Sequence, residues 1–110
     1  MNQDLDVKAQ VKQILKIVQE LAPGRSVELR IPPYAAIQCV GGSTHRRGTP
    51  PNVVEMSART LIDLNQNPEK WQKFREIGLI QASGTNSDLS EIFHRMTKLR
   101  NSVGGIKNGK

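Results

Sequence analysis

Apolar residues recur at steps of three and four along Val7, Val11, Ile14, Leu15, Val18 and Leu21, with Lys8, Lys12, Lys16 and Glu20 between them. This spacing predicts a helix with one apolar stripe, because the helical period returns those positions to one face. Asp4 or Asp6 is placed to cap its start, and Ala22-Pro23-Gly24 to stop it, since Pro cannot continue the ladder and Gly tolerates a positive φ. The period then falls to two. Val27, Leu29 and Ile31 alternate with Glu28 and Arg30, which predicts a strand over Val27–Ile31 with one wet face. Pro32-Pro33 breaks it, Tyr34–Val40 reads as a second strand, and a long loop from Gly41 to Pro51 precedes a third over Asn52–Met56. The connections hold no room for crossover helices, so these strands are expected to pair antiparallel.

Leu61, Ile62 and Leu64 mark a short helix opening near Ser57. Asn67-Pro68-Glu69 offers a cap, a Pro at the first helical position and an acid in the first turn, predicting a helix with Trp71, Phe74 and Ile77 inward that ends at Gly78. Leu79–Ser83 reads as a further strand. Asp88 and Glu91 have capping-box spacing before a last helix carrying Leu89, Ile92, Phe93, Met96, Leu99 and Val103, and Gly104-Gly105 is expected to fray it. The chain thus reads as one domain over residues 1–103 with a polar, basic tail over 104–110.

A length of 110 residues agrees, being enough for one core and too short for two. The formal charge of +6 is unevenly spread: residues 1–94 hold eleven Lys and Arg against ten acids, whereas 95–110 hold Arg95, Lys98, Arg100, Lys107 and Lys110 with no acid. A basic end of this kind can meet the phosphates of nucleic acid or of an anionic membrane surface. No aromatic interleaves these cations and no recognition motif accompanies them, which disfavours nucleic acid and makes a solvated end the plainer reading. Cys39 is the single cysteine, so no internal disulfide can form and a reducing cytoplasm is expected. No apolar run has the length of a signal peptide or a membrane span.

Candidate chemistry is sparse. His45 and His94 stand apart from any ligand at metal-site spacing, Ser83 lacks the frame of a nucleophile elbow, and Cys39 alternates with Ile37 as a small buried hydrophobe would. No metal, cofactor or catalytic group is therefore expected, and the chain does not read as an enzyme. The segment Gly41-Gly42-Ser43-Thr44-His45-Arg46-Arg47-Gly48 combines freed backbone amides with two guanidinium groups, so Arg46 and Arg47 are candidates for holding an anion. A plain connection between strands is the stronger alternative. Met56, Trp71, Phe74, Phe93 and Met96 read as core before they read as a cavity.

Several runs nevertheless point to a family: Ile31-Pro32-Pro33-Tyr34-Ala35-Ala36, then Arg47-Gly48-Thr49-Pro50-Pro51-Asn52-Val53-Val54-Glu55, Trp71, Ala82-Ser83-Gly84 and Asp88-Leu89-Ser90. In these the chain resembles the bacterial sterol-carrier-protein orthologue family, from about Val7 to Phe93. The resemblance implies an α+β fold in which helices cover one face of a mostly antiparallel sheet of about five strands. It also implies an apolar space between sheet and helices for an acyl lipid or similar small molecule, bound without catalysis. Met56, Leu61, Leu64, Phe74, Ile80, Phe93 and Met96 are then the candidate wall, with Arg46 and Arg47 meeting an acidic head group. Two alternatives stay open. One is a structural or protein-interaction subunit with a filled core, which short strand edges would allow to be a homodimer; the other is an anion or nucleic-acid binder using the basic end.

Overall fold

The computed structural model describes the backbone of residues 3–42 and 52–108, with side chains over 5–42 and 52–102. Its elements run α1 (Gln3–Leu21), β1 (Val27–Ile31), β2 (Ala35–Cys39), β3 (Asn52–Met56), α2 (Ala58–Gln66), a single 3-10 turn (Pro68–Lys70), α3 (Trp71–Glu76), β4 (Ile80–Ser83) and α4 (Ser90–Asn108). Asp4 and Asp6 fall inside α1 and so do not cap it. At the other end α4 passes through Gly104-Gly105 as far as Asn108, where the sequence predicts fraying.

The described strands form one sheet in the order β2-β1-β3-β4. β1 and β2 are antiparallel, with Val27 opposite Cys39 and Ile31 opposite Ala35, and β3 and β4 are antiparallel, with Met56 opposite Ile80. β1 and β3 are parallel, Val27 lying beside Asn52. The α+β class holds, but the sheet has four strands instead of about five and is mixed. The antiparallel expectation failed because it weighed only the connections between successive strands. β2 itself carries the chain back along β1, so β3 can start beside Val27 on the other side of β1 and run parallel to it.

Local chemistry sets the corners. Pro32, Pro33 and Tyr34 form the β1–β2 turn, the Pro32-Pro33 peptide is cis, and the Tyr34 N–H donates to the Ile31 carbonyl at 2.8 Å. Beyond α1, Gly24 has φ +147°, and a Cβ there would run into the Val40 backbone carbonyl. Only glycine fits both demands. Val40 in turn donates its N–H to the Ala22 carbonyl at 2.6 Å and accepts from the Ser26 N–H at 3.0 Å, which ties the exit of α1 to the end of β2.

The Ser57 capping expectation is borne out and the other two are redirected, the Asp88–Glu91 pair because Asp88 lies two residues ahead of α4 and engages the Ser90 N–H in place of the Glu91 N–H. Ser57 caps α2, its hydroxyl accepting from the Thr60 N–H at 3.1 Å, and the Asp88 carboxylate accepts from the Ser90 N–H at 2.9 Å at the head of α4. Asn67 instead turns backwards: its side chain donates to the Asp63 carboxylate at 2.9 Å, and its N–H to the Asp63 carbonyl at 2.8 Å, closing α2. Trp71 and Phe74 point inward as the spacing predicts, but Ile77 is 59% exposed. α3 stops at Glu76, and Leu79 reaches back to the Phe74 carbonyl at 2.8 Å, so Ile77 lies beyond the helical period that would have buried it.

The described helices lie against one face of the sheet. Val27, Leu29 and Ile31 of β1, Cys39 of β2, Val54 and Met56 of β3 and Ile80 of β4 are buried there against Val11, Ile14, Leu15 and Val18 of α1, Leu61 and Leu64 of α2, and Phe93 and Met96 of α4. The opposite face carries Arg30 between two carboxylates, 3.2 Å from Glu28 and 3.8 Å from Glu55. These pairs are part exposed and contribute little to stability. The fold therefore rests on the single apolar layer between sheet and helices.

Candidate functional site

The seven residues expected to wall a ligand space occur together, but as packed core. Leu61, Leu64 and Phe93 are fully buried, and Met56, Phe74, Ile80 and Met96 are at most 8% exposed. Phe93 stacks on Trp71 with ring centroids 6.5 Å apart. None of the seven lines the roomiest of the described grooves; Met96 borders a second groove and Met56 a small third one. Arg46 and Arg47 lie outside the described residues.

The roomiest groove lies toward one end of the helical layer and has a volume of about 760 Å³. Three elements build it. The β1–β2 turn supplies Pro32 and Tyr34, α1 supplies Val7, and α2 supplies Ala58 and Ile62. The Ser57 cap matters here because it fixes where α2 starts and hence which residues face the hollow. With α2 so placed, Ala58, Ile62 and Gln66 succeed one another at steps of four along one flank, while Leu61 and Leu64 enter the core. Val7, Tyr34 and Ile62 are each half-buried, so their apolar surface is partly left to the groove.

The rim is polar. Arg59, Asp63, Gln66 and Asn67 border the hollow. Asp63 is engaged, accepting from Asn67 and lying 3.7 Å from Lys70, whereas Arg59 has no ion-pair partner among the described residues. An apolar floor with a guanidinium at its edge that is unpaired among the described residues suits a molecule with an apolar body and a polar or anionic end.

Nucleophilic and metal chemistry do not converge on this groove. Cys39 is wholly buried in β2, and burial pushes its thiol up to about 11, so little thiolate forms at neutral pH. Among the described residues no three His, Cys, Asp or Glu side chains are grouped to hold a metal ion, and no helix is long and apolar enough to cross a membrane.

Sequence reasoning missed Val7, Tyr34, Ala58, Arg59 and Ile62 as groove residues. One signal was available for Ile62, an apolar residue on α2 that lies off the stripe defined by Leu61 and Leu64. In comparisons with known proteins, the family model described as bacterial SCP ortholog matches residues 4–94. No curated protein matches the chain at a significant level.

Proposed function

The chain belongs to the bacterial SCP ortholog family, and on that footing we propose that it is a non-enzymatic binding module for an acyl lipid or similar apolar small molecule, held in the groove between α1, the β1–β2 turn and α2. The observation that carries this reading is the groove itself: about 760 Å³ with an apolar floor from Val7, Pro32, Tyr34, Ala58 and Ile62. That volume lies within the range of about 300–1,000 Å³ common to small-molecule sites. The ligand enters from the surface, because the space between sheet and helices is taken up by Leu61, Leu64 and Phe93. Arg59 meets its polar end.

Native mass spectrometry of the full chain with added palmitate tests the reading. A complex of one fatty acid per chain is expected, and Ile62→Trp, which fills the groove, should abolish it. Undiminished binding by Ile62→Trp would refute the placement.

A second reading, a protein-interaction subunit, is favoured by the filled core together with Ile77 and Leu79, which are 59% and 46% exposed on either side of Gly78. It predicts no palmitate complex and a dimer or larger assembly in sedimentation.

A further inference from the structure

Of the cations that the sequence concentrates beyond His94, the described Arg95, Lys98 and Arg100 take no part in the α1–α2 groove. They fall on α4 beside a second hollow. Between α1 and α4 lies a trough of about 520 Å³ with an apolar wall from Ile14, Ile17, Met96 and Leu99. A smaller hollow of about 310 Å³ adjoins it at Leu99 and reaches Leu21, with Arg95 and Lys98 beside it. Leu99 is 51% exposed where the two meet.

Charge and apolar surface therefore coincide. Arg95 and Lys98 border the smaller hollow, and Arg100 borders the trough while donating to the Asn65 carbonyl at 3.1 Å. None of the three forms an ion pair among the described residues, and no carboxylate lines either hollow. The nearest acid along α4 is Glu91, one turn before Arg95, and it shares a further hollow with Arg95 and Lys98 without pairing with either. A half-exposed leucine set among unpaired cations is costly in water. It is complementary to a surface that offers phosphates above an apolar layer.

We propose that this face of α4 docks on an anionic lipid surface, with Leu99 entering the headgroup boundary and Arg95, Lys98 and Arg100 meeting lipid phosphates. Nucleic acid would engage the same cations but leave Leu99 in water, and no aromatic stands among them to stack on a base. The exposed leucine is what favours lipid. Residues 95–110 strengthen the attraction, since they hold five cations and no acid.

Co-sedimentation of the full chain with phosphatidylcholine vesicles, with and without phosphatidylglycerol, tests this. Binding is expected only to the vesicles containing phosphatidylglycerol and should weaken as salt rises. Arg95→Gln with Lys98→Gln should weaken it about 25-fold, at roughly fivefold per cation. Leu99→Ser should weaken it several-fold without altering the salt dependence, and as Leu99 is exposed its thermal melt should match that of the parent chain. Failure to sediment with either vesicle, or equal binding to both, would overturn the proposal. So would a Leu99→Ser variant that binds like the parent, or duplex DNA that binds the chain while the vesicles do not.

Discussion

The side chain of Asn52, at the start of β3, donates to the Ser26 carbonyl at 2.8 Å, and both residues are 2% exposed. The other end of the same amide accepts from the Asn86 N–H at 3.0 Å, so a single side chain ties the approach to β1, the head of β3 and the loop before α4. Asn52 belongs to the run Arg47–Glu55 that carries the family resemblance. The structure gives it a structural task there, because two backbone groups depend on it.

Asn52→Ala should accordingly lower stability by about 1–3 kcal/mol, the cost of leaving the buried Ser26 carbonyl unpaired, while the N–H of exposed Asn86 can turn to water. Asn52→Asp should also destabilise: it can still accept from Asn86 but cannot donate to Ser26. Urea unfolding measures both. A loss below about 0.5 kcal/mol for Asn52→Ala would mean that water replaces the amide at no cost.

Phe93 and Ile62 should separate the core from the groove. Phe93→Ala empties a fully buried site and should cost about 3–5 kcal/mol. Ile62→Trp adds volume on a half-buried flank and should leave the urea midpoint nearly unchanged while abolishing palmitate binding. The reverse pattern would put the ligand back among the core residues.

Trp71 carries a different kind of cost. Its indole N–H is buried without an acceptor among the described residues, although its ring stacks on Phe93. Trp71→Phe removes the unpaired donor along with part of the ring, and the two effects oppose each other. Stability within about 1 kcal/mol of the parent is expected from thermal melts. A loss above about 3 kcal/mol would show that the N–H has a partner.

Cys39 gives a pH signature. Its thiol is pushed from 9.0 to about 11 by desolvation. The unfolded chain releases this proton near its ordinary value and the folded chain only near 11, so this contribution is complete below pH 9 and is lost as pH rises from 9 to 11. Relative to Cys39→Ala, the parent chain should lose about 1 kcal/mol of stability by pH 10. Urea midpoints for the pair at neutral and alkaline pH provide the check, and parallel curves would contradict it.

Much of the fold was legible because local rules govern it. The stripe of Val11, Ile14, Leu15 and Val18, the alternation of Val27, Leu29 and Ile31, the Ser57 cap and the buried Cys39 all follow from spacing and side-chain chemistry within a few residues. The parallel pairing of β1 with β3 was not legible, since it depends on which side of β1 the chain returns to. Ile77 was misplaced because helical spacing says nothing of where α3 ends. The groove was hidden for a related reason: Val7, Pro32, Tyr34 and Ile62 are distant in sequence, and only the packing of α1 and α2 against the β1–β2 turn leaves a hollow between them. Seven bulky core residues were instead expected to wall it, because a side chain's apolar character does not reveal whether its neighbour is another side chain or a ligand.

Methyl NMR of the full chain during titration with palmitate tests the central claim most directly, since it reports on groove and core in one spectrum. The methyls of Val7, Ala58 and Ile62 should shift together and saturate, while those of Leu61, Leu64 and Ile80 stay in place. Shifts concentrated on Leu61, Leu64 and Ile80, or no saturable shift at all, would contradict the account.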